Sequence, residues 1–536
     1  MKRIILLVII VFTSPLTAQY QQWLKTFNGS QNGNDVANLI CADNAGNVIV
    51  SGRTLSTGNN TDFATIKYSA AGMQLWAAVF DGAAHAYDEP HGLGVDLSGN
   101  IFVAGMTRNA SLNYDICVIK YSPSGSVLWQ QLWAGATNLN DVPNDLYVDA
   151  AGNVYVTGST ELTSNNNYNY ITLKYDPSGV IQWQKQYNHP QNKADVAMFI
   201  DGNGTDVYVT GNSNAPGSLT DYLTIKYNST GDSLWVARFN NTSATNEIPY
   251  GFAVDAQGNA LIAGLTQRAA TGIDYVTVKY NTNGTEQWHT FYSSPGNSQD
   301  EPTGLALDGS GNVYVTGKTR INSGYNDYGT VKYNSAGVEQ WVRLYNSGFD
   351  RDDNPAAICT DNMGNVYVTG SSSQEVFDID GYTIKYDPSG NQLWSVRFDS
   401  TTDDEVYAMT VDGSNNVIIA GYIGFNPTDY SVLKYSQVNA VTHISGEIPG
   451  EFKLSQNYPN PFNPLTKIRF SLAKAGPVNL TVYDIHGRVI TVLVKDNLEA
   501  GRYEADFDGA ELASGIYFCT FNAGGTTQTK RLILLK

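Results

Sequence analysis

Cysteine is nearly absent: the four in 536 residues, Cys41, Cys117, Cys359 and Cys519, stand singly inside apolar segments, so neither a disulfide framework nor a CxxC metal site is written into the chain. They read as small buried hydrophobes. Positive charge is also scarce, with 32 Lys and Arg against 50 Asp and Glu and a net charge of −18. The imbalance lies ahead of residue 451, since the remainder carries 10 basic and 8 acidic residues. A field of this sign disfavours nucleic acid and anionic membrane surfaces and suits neutral glycans, cations or basic partners. Only six His occur and none has HExxH spacing, while no GxSxG, Walker or GxGxxG element stands in the strand and helix context its chemistry needs. His85 and His91 share a loop and read as a solvated pair. Long hydrophobic runs are missing too. The best, Ile4 to Phe12, is too short to cross the ~30 Å of hydrocarbon in a bilayer. Lys2 and Arg3 precede it and Ala18 follows it, so residues 1–18 are expected to form a secretory signal peptide, leaving no transmembrane segment in the mature chain.

Helical periodicity is lacking, whereas Tyr (34) and Gly (51) are plentiful, the balance of a β protein with many tight turns. What fills the chain is a repeat of about 53 residues. Each unit reads as an apolar run, DxxGN, a second apolar run ending in Gly, DYxTIKY, a turn and a Trp. The turn Asp recurs at Asp43, Asp96, Asp149, Asp201, Asp255, Asp308, Asp361 and Asp412. The Lys of the Lys-Tyr pair recurs at Lys67, Lys120, Lys174, Lys226, Lys279, Lys332, Lys385 and Lys434. Trp stands at Trp23, Trp76, Trp129, Trp183, Trp235, Trp288, Trp341 and Trp394. The Gly and Asn of the two hairpins supply positive φ. A unit this short cannot bury its own apolar faces and must stack on its neighbours, and four short antiparallel strands per unit define a propeller blade. One Trp precedes the first DxxGN and none follows Lys434, so the strand around Trp23 is expected to complete the last blade and remove a free edge. The expected fold is therefore all-β: an eight-bladed β-propeller over residues 19–435 closed by an N-terminal strand, a linker over 436–451, and a small C-terminal β-sandwich over 452–536. Closure in seven blades with one detached unit is the alternative.

A residue present in every blade most simply serves every blade, so the Trp, Lys-Tyr and DxxGN positions are expected to be scaffold. Two acidic series need weighing. Asp35, Asp88, Asp141, Asp300, Asp353 and Asp404 precede their turn Asp by eight residues, with Glu247 in the same slot and Asp195 displaced. A second series, Asp62, Asp115, Asp221, Asp274, Asp327, Asp380 and Asp429, opens the third strand, with Asn169 as the departure. Both start from one face, which is thus expected to be rich in carboxylates. They cap turns and accept backbone N–H bonds of the adjoining blade, or the first series rings the mouth of the central channel and binds a cation such as Ca²⁺. Asp201-Gly-Asn-Gly-Thr-Asp206 begins like a calcium loop but has Asp206 and Asn212 where Gly and Glu are required, and is expected to be an extended hairpin turn. Trp133, outside the Trp register, and Tyr168 and Tyr170 in an Asn-rich segment from Ser164 suit stacking against sugars. The candidate ligand contacts are these three aromatics with Asp35, Asp88, Asp141, Glu247, Asp300, Asp353 and Asp404. No catalytic residue emerges, and no cofactor beyond the cation.

The wording DxxGNxYVTG and DYxTIKYxxxGxxxW, in fixed register over residues 43–435, resembles the SBBP family of β-propeller repeats. That family's name refers to seven blades, whereas eight units are counted here. The last stretch alternates strands with Gly and Pro turns. Its Asn457, Pro459, Asn460, Pro461, Phe462, Asn463 and Pro464, then Tyr483, Asp484, Gly487 and Arg488, then Gly515 and Tyr517, and the terminal Lys536 resemble the type A C-terminal sorting domain of the type IX (Por) secretion system. The resemblance implies the type IX machinery as a partner, passage across the outer membrane, removal of the tail, and release or attachment at the cell surface. The expected function is noncatalytic binding of an extracellular polysaccharide or protein. The alternatives are an enzyme acting on polysaccharide through carboxylates of the longer-loop face, or a structural envelope component.

Overall fold

The computed structural model describes residues 20–536 except 57, 59, 164–166, 205, 216–218, 242–245, 269–270, 296–298, 321–323, 350, 376–377, 437–441, 446–447 and 510–511. The signal peptide expected over 1–18 and part of the Asn-rich segment therefore lie outside the described residues. Two compact units are present, one spanning Trp23–Ser436 and the other containing Gln437–Lys536. Every named regular element among the described residues is a β-strand.

The first unit holds eight four-stranded sheets. Seven take their strands in chain order, over residues 36–80, 88–133, 141–187, 195–239, 247–292, 301–345 and 353–398. The eighth combines Asp404–Val411, Val417–Ile423 and Asp429–Ser436 with Tyr20–Phe27, which lies beside Asp429–Ser436. The first strands of the blades follow one another in a cycle, and Asp404–Val411 packs against Val36–Ala42. The VYVTG and DYxTIKY strands are sandwiched between neighbouring blades on both faces. Asp327–Tyr333 is accordingly buried along its whole length, whereas the outer strand Gln74–Phe80 alternates between exposed and half-buried.

Each first strand carries a bulge, as between Pro143 and Asp145, beside the Gly that ends the apolar run of the second strand, which itself continues past it, as Val154–Thr163 does past Gly158. A Cβ on Gly158 would sit 2.0 Å from the Val142 carbonyl oxygen, so the backbones approach too closely for any side chain. This is why the second apolar run ends in Gly.

Blade joins blade through one recurring device. Trp129 Nε1 and Lys120 Nζ both donate to the Pro177 carbonyl in the turn of the next blade, each at 3.0 Å. Gly179 of that turn lies flat on the Trp129 indole, where a Cβ would clash. The same bond runs from Trp76 to Pro123, Trp183 to Ser229, Trp235 to Thr282, Trp288 to Ser335 and Trp341 to Pro388. Between the eighth blade and the first, Trp23 Nε1 and Lys434 Nζ converge on Ala70 O at 3.1 and 3.2 Å. Lys also neutralises the turn Asp of its own blade, as in Lys67–Asp43 at 2.9 Å and Lys434–Asp412 at 2.8 Å. In the fourth blade the extended hairpin pairs Asn203 with Asp206, and Asp206 takes over the contact to Lys226.

The second unit is a sandwich of two four-stranded sheets around Phe470, Leu480, Val482, Phe521 and Leu534. Thr442–Ser445, within the segment expected to be a linker, pairs with Gly501–Asp508 and so belongs to this unit. The Pro-rich segment docks on the last strand. Phe462 is buried, its N–H donates to Ile533 O, and the Leu535 N–H donates back to Phe462 O. Asn457 is buried and donates to Pro459 O and Thr466 Oγ1, while Asp484 closes its turn by accepting from Arg488 Nε at 2.6 Å. Tyr517 donates to Ala513 O, and the Lys536 N–H donates to Ser514 Oγ.

Candidate functional site

The first acidic series is sealed inside the blade junctions, where all seven of the carboxylates expected as ligand contacts are buried to 1% exposure or less. Asp35 accepts from Gly29 N at 2.6 Å, Thr54 Oγ1 at 2.6 Å and Leu55 N at 3.0 Å. Asp88, Asp141, Asp300 and Asp353 accept from Gly82, Gly135, Ser294 and Ser347 in the same way. Glu247 accepts from Thr266 Oγ1 and Asp404 from Ser400. The displaced Asp195 makes the equivalent bonds to His189 and Ser213. These carboxylates fix the entry into each first strand instead of ringing an open mouth. Burial pushes the carboxyls of Asp88, Asp141, Asp195 and Asp353 up, and that of Asp300 to about 6.

The aromatic candidates divide. Trp133 is buried and donates from Nε1 to Gln184 Oε1 at 3.0 Å. It occupies the position that holds Phe80, Tyr187, Phe239, Tyr292, Tyr345 and Phe398 in other blades, an aromatic that pairs with the second residue of DY. Phe63–Phe80 and Tyr222–Phe239 ring centroids are 5.1 and 5.7 Å apart. Tyr170 is the same DY aromatic, 1% exposed, packed at a tilt on Tyr187 with ring centroids 5.8 Å apart, and donating to Leu223 O of the next blade. Neither offers a free face. Tyr168 remains half-buried, opposite Glu161.

A different set of side chains is presented where the second blade departs from the repeat. Tyr87 and Tyr114 meet edge to face at 6.3 Å. The Tyr87 hydroxyl donates to Glu89 Oε2 at 2.5 Å, and Arg53 Nη1 lies 3.6 Å from Glu89 Oε1. Arg108 donates to the Tyr114 hydroxyl at 3.0 Å and stands 5.0 Å over its ring. All five residues are partly exposed. On the eighth blade Tyr407, 41% exposed, donates to Glu405 at 2.7 Å and packs on Tyr422 at 5.9 Å. Aligning the repeats position by position would have marked these residues, because Tyr87, Arg108 and Tyr407 stand where the repeat has no fixed residue.

Burial pushes the Cys41 and Cys519 thiols up to about 12 and those of Cys117 and Cys359 higher still, consistent with four free, unreactive cysteines. Among the described residues no helix is long and apolar enough to cross a membrane.

Residues 82–113, 129–162 and 287–325 match the SBBP family model, described as a beta-propeller repeat. Residues 456–535 match the model of a secretion system C-terminal sorting domain. The chain is thus a β-propeller-repeat protein bearing the tail that marks proteins for type IX export to the cell surface or extracellular space. It is 22% identical to an uncharacterized WD repeat-containing protein, L264, of Acanthamoeba polyphaga mimivirus, over 59% of this chain and 32% of that protein. The chain spans about a third of that relative's length. Among solved structures, a Synechocystis apocarotenoid oxygenase mutant aligns with TM-score 0.34 at 10% identity, over 74% of this chain and 97% of that one. The core factor of S. cerevisiae aligns with TM-score 0.34 at 7% identity, over 80% and 63%.

Proposed function

We propose that the propeller is a noncatalytic binding module for extracellular polysaccharide, carried outside the cell by its sorting domain. The observation that supports this reading is the Tyr87–Tyr114 pair flanked by Arg53, Glu89 and Arg108. Partly exposed rings give apolar faces for sugar C–H groups, and the charged groups beside them supply directional donors and acceptors for hydroxyls. The acidic field of the chain favours a neutral glycan over an anionic one. The carboxylates of the first series are buried at the blade junctions and offer no open face to a glycan, which leaves glycan recognition to side chains that break the repeat.

A glycan array probed with the full chain, followed by mass spectrometry of any bound glycan after incubation, tests this. Binding with the glycan intact is the expected result. Shortened products would make the protein an enzyme, and an array without hits would favour a structural envelope component.

A further inference from the structure

Each third-strand Asp opens close to the first-strand carboxylate of the next blade, and several of these acidic junctions contain their own donor. Arg238 Nη1 is 2.7 Å from Asp221, Arg268 Nη1 is 3.2 Å from Asp274, and Arg397 contacts Asp380. Asn346 donates to Asp327 and Asn109 to Asp115. Arg238 and Arg397 share one place in the blade: they pair with Leu223 and Tyr382, each two residues beyond its Asp. In the first blade that place, opposite Ala64, is held by Val79. Two residues further on stands another acid, Asp81.

One oxygen from each of Asp62, Asp81 and Asp88 lies within 4.8 Å of the others. Asp62 is only 5% exposed and its Oδ1 accepts no hydrogen bond. His85 is the base beside them, with Nδ1 2.6 Å from Asp81 Oδ2. Burial, with Asp81 and Asp88 adding to it, pushes the Asp62 carboxyl up to about 6. An equivalent cluster, Asp380, Asp399 and Asp404, sits at the junction where Arg397 supplies a guanidinium. The same three-carboxylate arrangement therefore occurs twice, once beside an arginine and once beside a valine.

We propose that Asp62, Asp81 and Asp88 bind a divalent cation, Ca²⁺ in the extracellular setting. Oxygens bound to one Ca²⁺ at about 2.3–2.6 Å can be no more than roughly 5 Å apart, and this cluster meets that limit. An all-carboxylate set favours a hard cation over a soft one, and Ca²⁺ tolerates the irregular geometry of a loop better than Mg²⁺ does. The site stands independently of the polysaccharide reading.

Titration calorimetry of Ca²⁺ into the chelator-treated full chain tests it. The expected result is one site, at least tenfold weaker in Asp81→Asn and in Val79→Arg, which places a guanidinium as Arg397 does, and unchanged in Asp399→Asn. Asp81 and Val79 are exposed, so neither change threatens the fold. The proposal is overturned by the absence of heat and of any Tm shift at millimolar Ca²⁺, by equal affinity in the Asp81 and Val79 variants, or by equal loss in Asp399→Asn.

Discussion

Replacing Trp23 with Ala attacks the junction at which the first strand of the propeller, Tyr20–Phe27, meets its last blade. Trp23 is 8% exposed, packs 6.1 Å from Tyr68, covers Gly72, and donates to Ala70 O at 3.1 Å. Burying such an indole removes roughly 150–250 Å² from water, and truncating a buried Trp to Ala costs about 3–5 kcal/mol including the cavity. Loss of the hydrogen bond falls within that figure, since Ala70 O still accepts from Lys434 Nζ at 3.2 Å. Unfolding entropy of about 2.1 cal/mol/K per residue makes a cooperative unit of roughly 400 residues lose about 1 °C per kcal/mol, so Tm should fall by about 3–5 °C. Trp23→Phe keeps the ring contact and should lose about 1–2 °C. Differential scanning calorimetry of both variants, with the exposed Leu75→Ala as reference, supplies the readout. A Trp23→Ala Tm equal to that of the Leu75 variant would refute the role given to this strand.

Gly158→Ala should destabilise by at least about 2 kcal/mol, because its Cβ meets a backbone oxygen that cannot yield, whereas Gly413→Ala, with open space around it, should be neutral; urea midpoints compare them. Asp300 is pushed up to about 6 from 3.8, so the folded state holds its proton more tightly than the unfolded one. Its contribution is fully present below about pH 4 and lost as pH rises towards 6, and Asp300→Asn should therefore gain on the parent protein more at pH 7.5 than at pH 4, read by urea melts at each pH. A chain ending at residue 450 should keep its propeller but remain in the periplasm, and surface fractions containing it in undiminished amount would contradict the role of the sorting domain.

The blades were legible because their signals are local: DxxGN closes a hairpin, Gly sits opposite a bulge, and a continuous apolar run marks a strand covered on both faces. The cross-blade bond of Trp to a turn carbonyl was not, since it joins residues 46 to 48 apart whose meeting depends on the stacking of blades. The carboxylates were placed on one end of the blades correctly in order, yet spacing does not say which backbone N–H will enclose a side chain. Trp133 and Tyr170 were misjudged for a simpler reason. Both occupy a second aromatic register, shared with Phe80 and Phe63, that the more regular Trp series obscured. The strand Thr442–Ser445 escaped notice because four residues carry too little alternation to stand out beside a linker. Tyr87, Tyr114 and Arg108 stand at positions where the repeat has no fixed residue, so an alignment of the units marks them singly, while their meeting in the folded blade is what joins them into one site.

The most direct test is the affinity of the full chain and of Tyr114→Ala for the glycan that the array identifies, measured by calorimetry at one salt concentration. The account predicts at least tenfold weaker binding by the variant, with an unchanged Tm and the glycan recovered whole. Equal affinity of the two proteins would contradict it.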